Sequence, residues 1–139
     1  MSLSPRRWFD RMAPQTLQLA ILLGYLDGAF ALLEILDSSG PLAWVRYRIP
    51  LGFLVAMLVP VGHVAGGFLM ANERRLGWKI AVATSFSPFI INFLAYGDVG
   101  AGLQRQLFGG SLISFAFDAA LVALLLHPQS RAHQKMWYR

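Results

Sequence analysis

The sequence predicts an all-α integral membrane fold: a four-transmembrane-helix, up-down bundle with short interfacial helices at the termini. Three observations carry this. Of 139 residues, 56% are hydrophobic and only 14% are charged, where an ordinary soluble domain has about a quarter charged. The apolar residues gather into four blocks, residues 17–36, 50–71, 78–96 and 108–127, each near the roughly 20 residues that cross about 30 Å of hydrocarbon. The basic residues then fall mostly on one side of these blocks. Arg6, Arg7, Arg11, Arg74, Arg75, Lys79, Arg131, Lys135 and Arg139 lie on the side of the termini, and only Arg46, Arg48 and Arg105 on the other. Positive residues are retained on the cytoplasmic side, so both termini are expected in the cytoplasm of a plasma (inner) membrane protein. The net charge of +5 reads as topology and as attraction to anionic lipid head groups, with no nucleic-acid partner expected.

Connections between the blocks are short, leaving one membrane domain over residues 1–139. The chain has no cysteine, which excludes disulfides, thiol redox chemistry and cysteine ligation or nucleophiles. The first block is not expected to be a cleaved leader. It exceeds the usual 7–15-residue apolar core, carries two acids and lacks a small-x-small cleavage site.

Before the first span, Ser4 is placed to cap a short surface helix and Pro5 to occupy its first turn. Trp8, Phe9 and Met12 are expected to face lipid there, with the arginines and Asp10 toward water. The first span contains Asp27 and Glu34, although one charge at the centre of a bilayer costs roughly 2.5–3.5 kcal/mol on insertion scales. Glu34 has a simple explanation near the outer end, through ion pairs with Arg46 or Arg48; Asp37 lies at similar depth. The second span carries His63 and the third Asn92, and Pro60 and Pro88 sit mid-span as expected kinks, each freeing a carbonyl. The connection after the third span is glycine-rich and reads as a loop or a shallow dip into the membrane. The fourth span carries Asp118. After it, Pro128 restarts the chain as a surface segment anchored by Trp137 and Tyr138.

Helical periodicity sorts these residues. Ala20, Gly24, Asp27, Gly28 and Ala31 share one face of the first span, and Gly52, Ala56, His63, Gly66 and Met70 one face of the second. Ser85, Pro88 and Asn92 share a face of the third; Ser111, Ser114 and Asp118 share one of the fourth. Gly24 with Gly28, and Gly62 with Gly66, have the small-xxx-small spacing that lets helices approach closely. Asp27, His63 and Asp118 fall near mid-membrane, and Asn92 further out.

Three functions are compatible with that pattern. The leading expectation is a structural or accessory subunit of a membrane complex or homo-oligomer, in which these polar residues hydrogen-bond between helices, each bond contributing roughly 0.6–2 kcal/mol. The alternative is a proton- or cation-coupled transporter or channel using Asp27, His63 and Asp118 as a relay. A third reading pairs Asp27 with Asp118 as an intramembrane aspartic hydrolase. No cofactor is expected: His127 and His133 lie outside the spans, and no ligand spacing supports a metal at His63, Asp27 and Asp118. The expected partners are the lipid bilayer and other membrane subunits or copies of the same chain.

Overall fold

A computed structural model describes residues 7–139. All of its regular structure is helical: α1 (Gln15–Leu36), α2 (Gly40–Arg48), α3 (Gly52–Ala71), α4 (Arg75–Asp98), α5 (Leu103–Phe108), α6 (Leu112–Leu126) and α7 (Pro128–Trp137). By length and composition α1, α3 and α4 are each able to cross a membrane, and α6 with α7 adds a fourth candidate bent by 49°.

Local chemistry sets the breaks. Pro14 precedes α1. Ser38 and Gly40 turn the chain after it with positive φ, and Pro41 enters the first turn of α2, where its missing N–H is not needed. Between α3 and α4, Glu73 holds φ +58 while Asn72 Nδ2 donates to Phe68 O at 2.9 Å, taking up a carbonyl at the helix end. Gly109, at φ +72, separates α5 from α6. The Ser111 hydroxyl accepts from Ser114 N at 3.5 Å to start α6. His127 Nδ1 accepts from Gln129 N at 3.3 Å, and Pro128 begins α7.

The four long helices form a closed ring in the order α1, α3, α4, α6, with α6 returning to α1. Neighbours run antiparallel. Gly24 and Gly28 lie against His63 and Pro60 respectively, and Gly66 and Gly62 against Ala81 and Thr84. One apolar cluster fills the α7 end with Leu17, Ile21, Met70, Leu121, Leu125 and Tyr138. A second fills the α2 end with Ile35, Leu42, Val45, Ala56 and Val59, and no residue of α6 belongs to it. At 15 residues, α6 is about 22 Å long, short of the roughly 30 Å hydrocarbon thickness. Between 112 and 120 none of its side chains is buried.

Several expectations are corrected here. Ser4, Pro5 and Arg6 lie outside the described residues, but residues 7–14 are coil and turn, not an interfacial helix. Asp10 does not face water. It is 2% exposed and paired with Arg7 at 3.1 Å, because the chain after α7 folds back over it. Arg7 also reaches Glu73 at 3.2 Å. Trp8 packs on Phe68, ring centroids 4.8 Å apart, and its carbonyl accepts from the Tyr25 hydroxyl. The connection after α1 is a helix, and the glycine-rich one after α4 contains the short α5. Glu34 pairs with neither Arg46 nor Arg48. Its carboxylate accepts from Leu42 N at 2.8 Å in the first turn of α2, where Ser39 makes no capping bond. Arg46 donates to Ile35 O, and Arg48 meets Asp98 at 3.5 Å, whose carboxylate also accepts from the Trp44 indole.

Candidate functional site

The faceted pattern of the sequence converges on one cavity of about 470 Å³ toward the α2 end. Each wall follows the helical repeat. Asp27, Ala31 and Glu34 come from α1, Val59 and His63 from α3, Pro88, Asn92 and Tyr96 from α4, and Ser111, Ser114 and Asp118 from α6. Asp27, Glu34, His63, Asn92 and Asp118 therefore share a single space. Among the described residues, no lysine or arginine lines it.

Close helix approach positions the deep end. A Cβ on Gly28 would meet His63 Cβ at 3.2 Å and Pro60 O at 3.3 Å, and one on Gly24 would meet His63 O at 3.7 Å. The two glycines thus bring α3 onto α1 and set His63 beside Asp27. Gly62 and Gly66 perform the same office on the other side of α3, where Gly66 sits against the Ala81 backbone. Pro60 is buried and does not line the cavity; Pro88 does. The Thr84 carbonyl, which the missing N–H of Pro88 leaves free, accepts from the Ser87 hydroxyl at 2.6 Å, so it is not turned toward the cavity as a ligand.

The hydrogen bonding of the lining residues is uneven. Glu34 is held by the α2 backbone. Asp27 Oδ2 is buried and finds no hydrogen-bond partner among the described residues. His63 is 3% exposed. Among the described residues, no hydrogen bond or ion pair joins Asp27, His63, Asn92 or Asp118 to one another. Among the described residues no group of three or more His, Asp or Glu side chains is gathered tightly enough to hold a metal ion. The arrangement is an acid-lined space whose carboxylates are not hydrogen-bonded to one another among the described residues.

Sequence periodicity did not single out Tyr96, although it stands four residues after Asn92 and eight after Pro88 on the same face. It placed Gly52 on the small face of the second span without a role, and passed over Gly77. A side chain on Gly52 would collide with the Val45 carbonyl, and one on Gly77 would meet Met70 N at 2.5 Å. Both stand just inside a helix start after a tight connection, and that is the signal that marks them.

No protein family, curated protein or solved structure matches the chain.

Proposed function

We propose that this chain is a four-span protein of a plasma membrane, termini cytoplasmic, that binds a cation in the α1–α3–α4–α6 cavity and exchanges it for protons. One observation carries the reading: Asp27, His63 and Asp118 surround a common cavity without hydrogen-bonding one another. Unpaired ionisable groups in a low-dielectric site are costly, and a cation or a proton relieves the same two carboxylates. The two therefore compete for one site, which is the minimum chemistry of exchange. With the termini inside, the cavity mouth at the α2 and α5–α6 connections opens outward. Basic residues at the α7 end then meet anionic head groups.

Polar association within the bundle gains less support, because it needs hydrogen bonds between these helices that the lining residues do not make. A shared-proton hydrolase dyad likewise gains none, since Asp27 and Asp118 are not hydrogen-bonded. A subunit role in a larger assembly stays as the second reading, favoured by the first half of α6. Its apolar side chains lie beside the cavity mouth, and none of them is buried by the described residues.

Proteoliposomes loaded with a pH dye separate the readings. With opposing gradients of sodium, potassium or an organic ammonium, at least one is expected to drive protein-dependent proton flux. Asp27→Asn and Asp118→Asn at equal protein density are expected to return that flux to the level of empty vesicles. Variants that insert at lower yield but leave flux per molecule unchanged, or a wild type with no flux, support the subunit role instead.

A further inference from the structure

We propose that the occupant of this cavity is a lipid-soluble organic cation, an ammonium or phosphonium centre on an apolar body, received from the side between α1 and α6. The inference rests on the cation reading for the sign of the ligand and adds its size, shape and route.

Size comes first. About 470 Å³ falls within the roughly 300–1,000 Å³ of small-molecule sites and far exceeds what a bare ion fills. The acids are also too dispersed for direct metal ligation among the described residues. A diffuse charge on a larger body matches that spacing, because it interacts with Asp27 and Asp118 without a closed coordination shell.

The walls give the shape. Asp27, Glu34 and Asp118 supply negative charge, and among the described residues neither lysine nor arginine lines the cavity to oppose it. Phe30, Phe108 and Phe117 add aromatic surface, which attracts cations through the ring quadrupole. His63 is a second, independent sign of a ligand site. It is a cavity-lining side chain 97% buried, with no hydrogen bond to any described residue.

The route follows from exposure. Phe30 on α1 and Ile113 and Phe117 on α6 line the cavity, yet they are 55%, 71% and 43% exposed on the flank of the bundle. The cavity therefore opens sideways between α1 and α6. In a four-span bundle that flank faces lipid, and what enters there is something already dissolved in the membrane.

Equilibrium dialysis of the protein in zwitterionic-lipid nanodiscs, corrected by empty discs, tests this with three probes. Tetraphenylphosphonium and tetraphenylborate share a shape and differ in sign, and methylammonium has the charge without the body. Saturable binding of tetraphenylphosphonium alone is expected. Asp118→Asn is expected to weaken it by about tenfold or more, as the loss of one partly desolvated charge contact requires. Ser114→Lys, at an exposed lining position one turn before Asp118, supplies an internal ammonium and is expected to abolish binding in a folded protein. Equal binding of tetraphenylborate, or tetraphenylphosphonium binding indifferent to both variants, overturns the proposal. Methylammonium binding in place of tetraphenylphosphonium also overturns it and leaves the cation reading standing. Tetraphenylphosphonium binding in a protein without proton flux keeps the site and removes the exchange.

Discussion

Leucine at Gly66 is expected to cause a large loss of folded protein by forcing the α3–α4 seam apart. A Cβ there would stand 3.0 Å from Ala81 N, Cα and Cβ at once. Two of those atoms are backbone, so relief requires moving a helix, not a side chain. Overpacking of this kind costs about 1–3 kcal/mol and sometimes more. It would also displace His63, three residues earlier on the same helix. Gly24→Ala is the control. Its Cβ meets only His63 O at an ordinary 3.7 Å, and alanine is favoured over glycine in a helix interior by up to about 1 kcal/mol. Thermal denaturation in mild detergent, followed by retention of the monodisperse fraction, is expected to show Gly66→Leu well below wild type and Gly24→Ala at or above it.

Tyr138→Ala is expected to release the segment that closes the α7 end. Tyr138 is 2% exposed within a cluster that includes Leu17, Met70, Ala81 and Leu125. Backbone bonds fix the segment on the α3–α4 connection: Arg139 N donates to Glu73 O and Arg75 N to Arg139 O, both at 2.9 Å. Removing a buried aromatic ring costs on the order of 3 kcal/mol. Tyr138→Phe is expected to stay within about 0.5 kcal/mol of wild type, since the buried hydroxyl has no hydrogen-bond partner among the described residues. Proteolysis of the α7 segment reads both.

The same docking is pH-dependent. Burial holds the His133 imidazole below its ordinary 6.5, only partly offset by Asp10 and Glu73. As pH falls through 6.5 the released histidine takes up a proton that the docked one resists, and docking weakens. Burial, aided by Asp10 and Glu73, raises the Tyr138 phenol above its ordinary 10.0, with Arg7 opposing. As pH climbs past 10.0 the released phenol ionises first, and docking weakens again. Protection is expected to be greatest between those limits.

Helical periodicity was the most legible feature of this chain. It assigned Asp27, His63, Asn92 and Asp118 to faces from spacing alone, and those faces line a common cavity. The cavity itself was not legible, because it arises where packing fails. The block at 108–127 reads as one continuous apolar span, and hydropathy does not register that Gly109 ends α5 and leaves α6 only 15 residues. The first half of α6 then adds nothing to the core at the α2 end, and space remains. Glu34 was misassigned because charge pairing is visible in a sequence and the bare start of a neighbouring helix is not. Pro41 was the available sign that a helix begins there. Asp10 was misassigned because its burial depends on a segment more than 120 residues later, which no local pattern reports.

Cysteine accessibility tests the central claim most directly, and a chain without cysteine needs no background substitutions. Ser114→Cys and Asn92→Cys place thiols on the cavity wall. Leu54→Cys and Leu58→Cys place them on the outer flank of α3, where the native leucines are well exposed but do not line the cavity. A cationic, membrane-impermeant methanethiosulfonate added to spheroplasts reacts only where water reaches from outside. The account predicts fast labelling at 114 and 92, slow labelling at 54 and 58, and protection of the first pair by tetraphenylphosphonium. Equally slow labelling at all four positions would contradict an outward-opening, acid-lined cavity and return Asp27, His63 and Asp118 to the interior of a closed bundle.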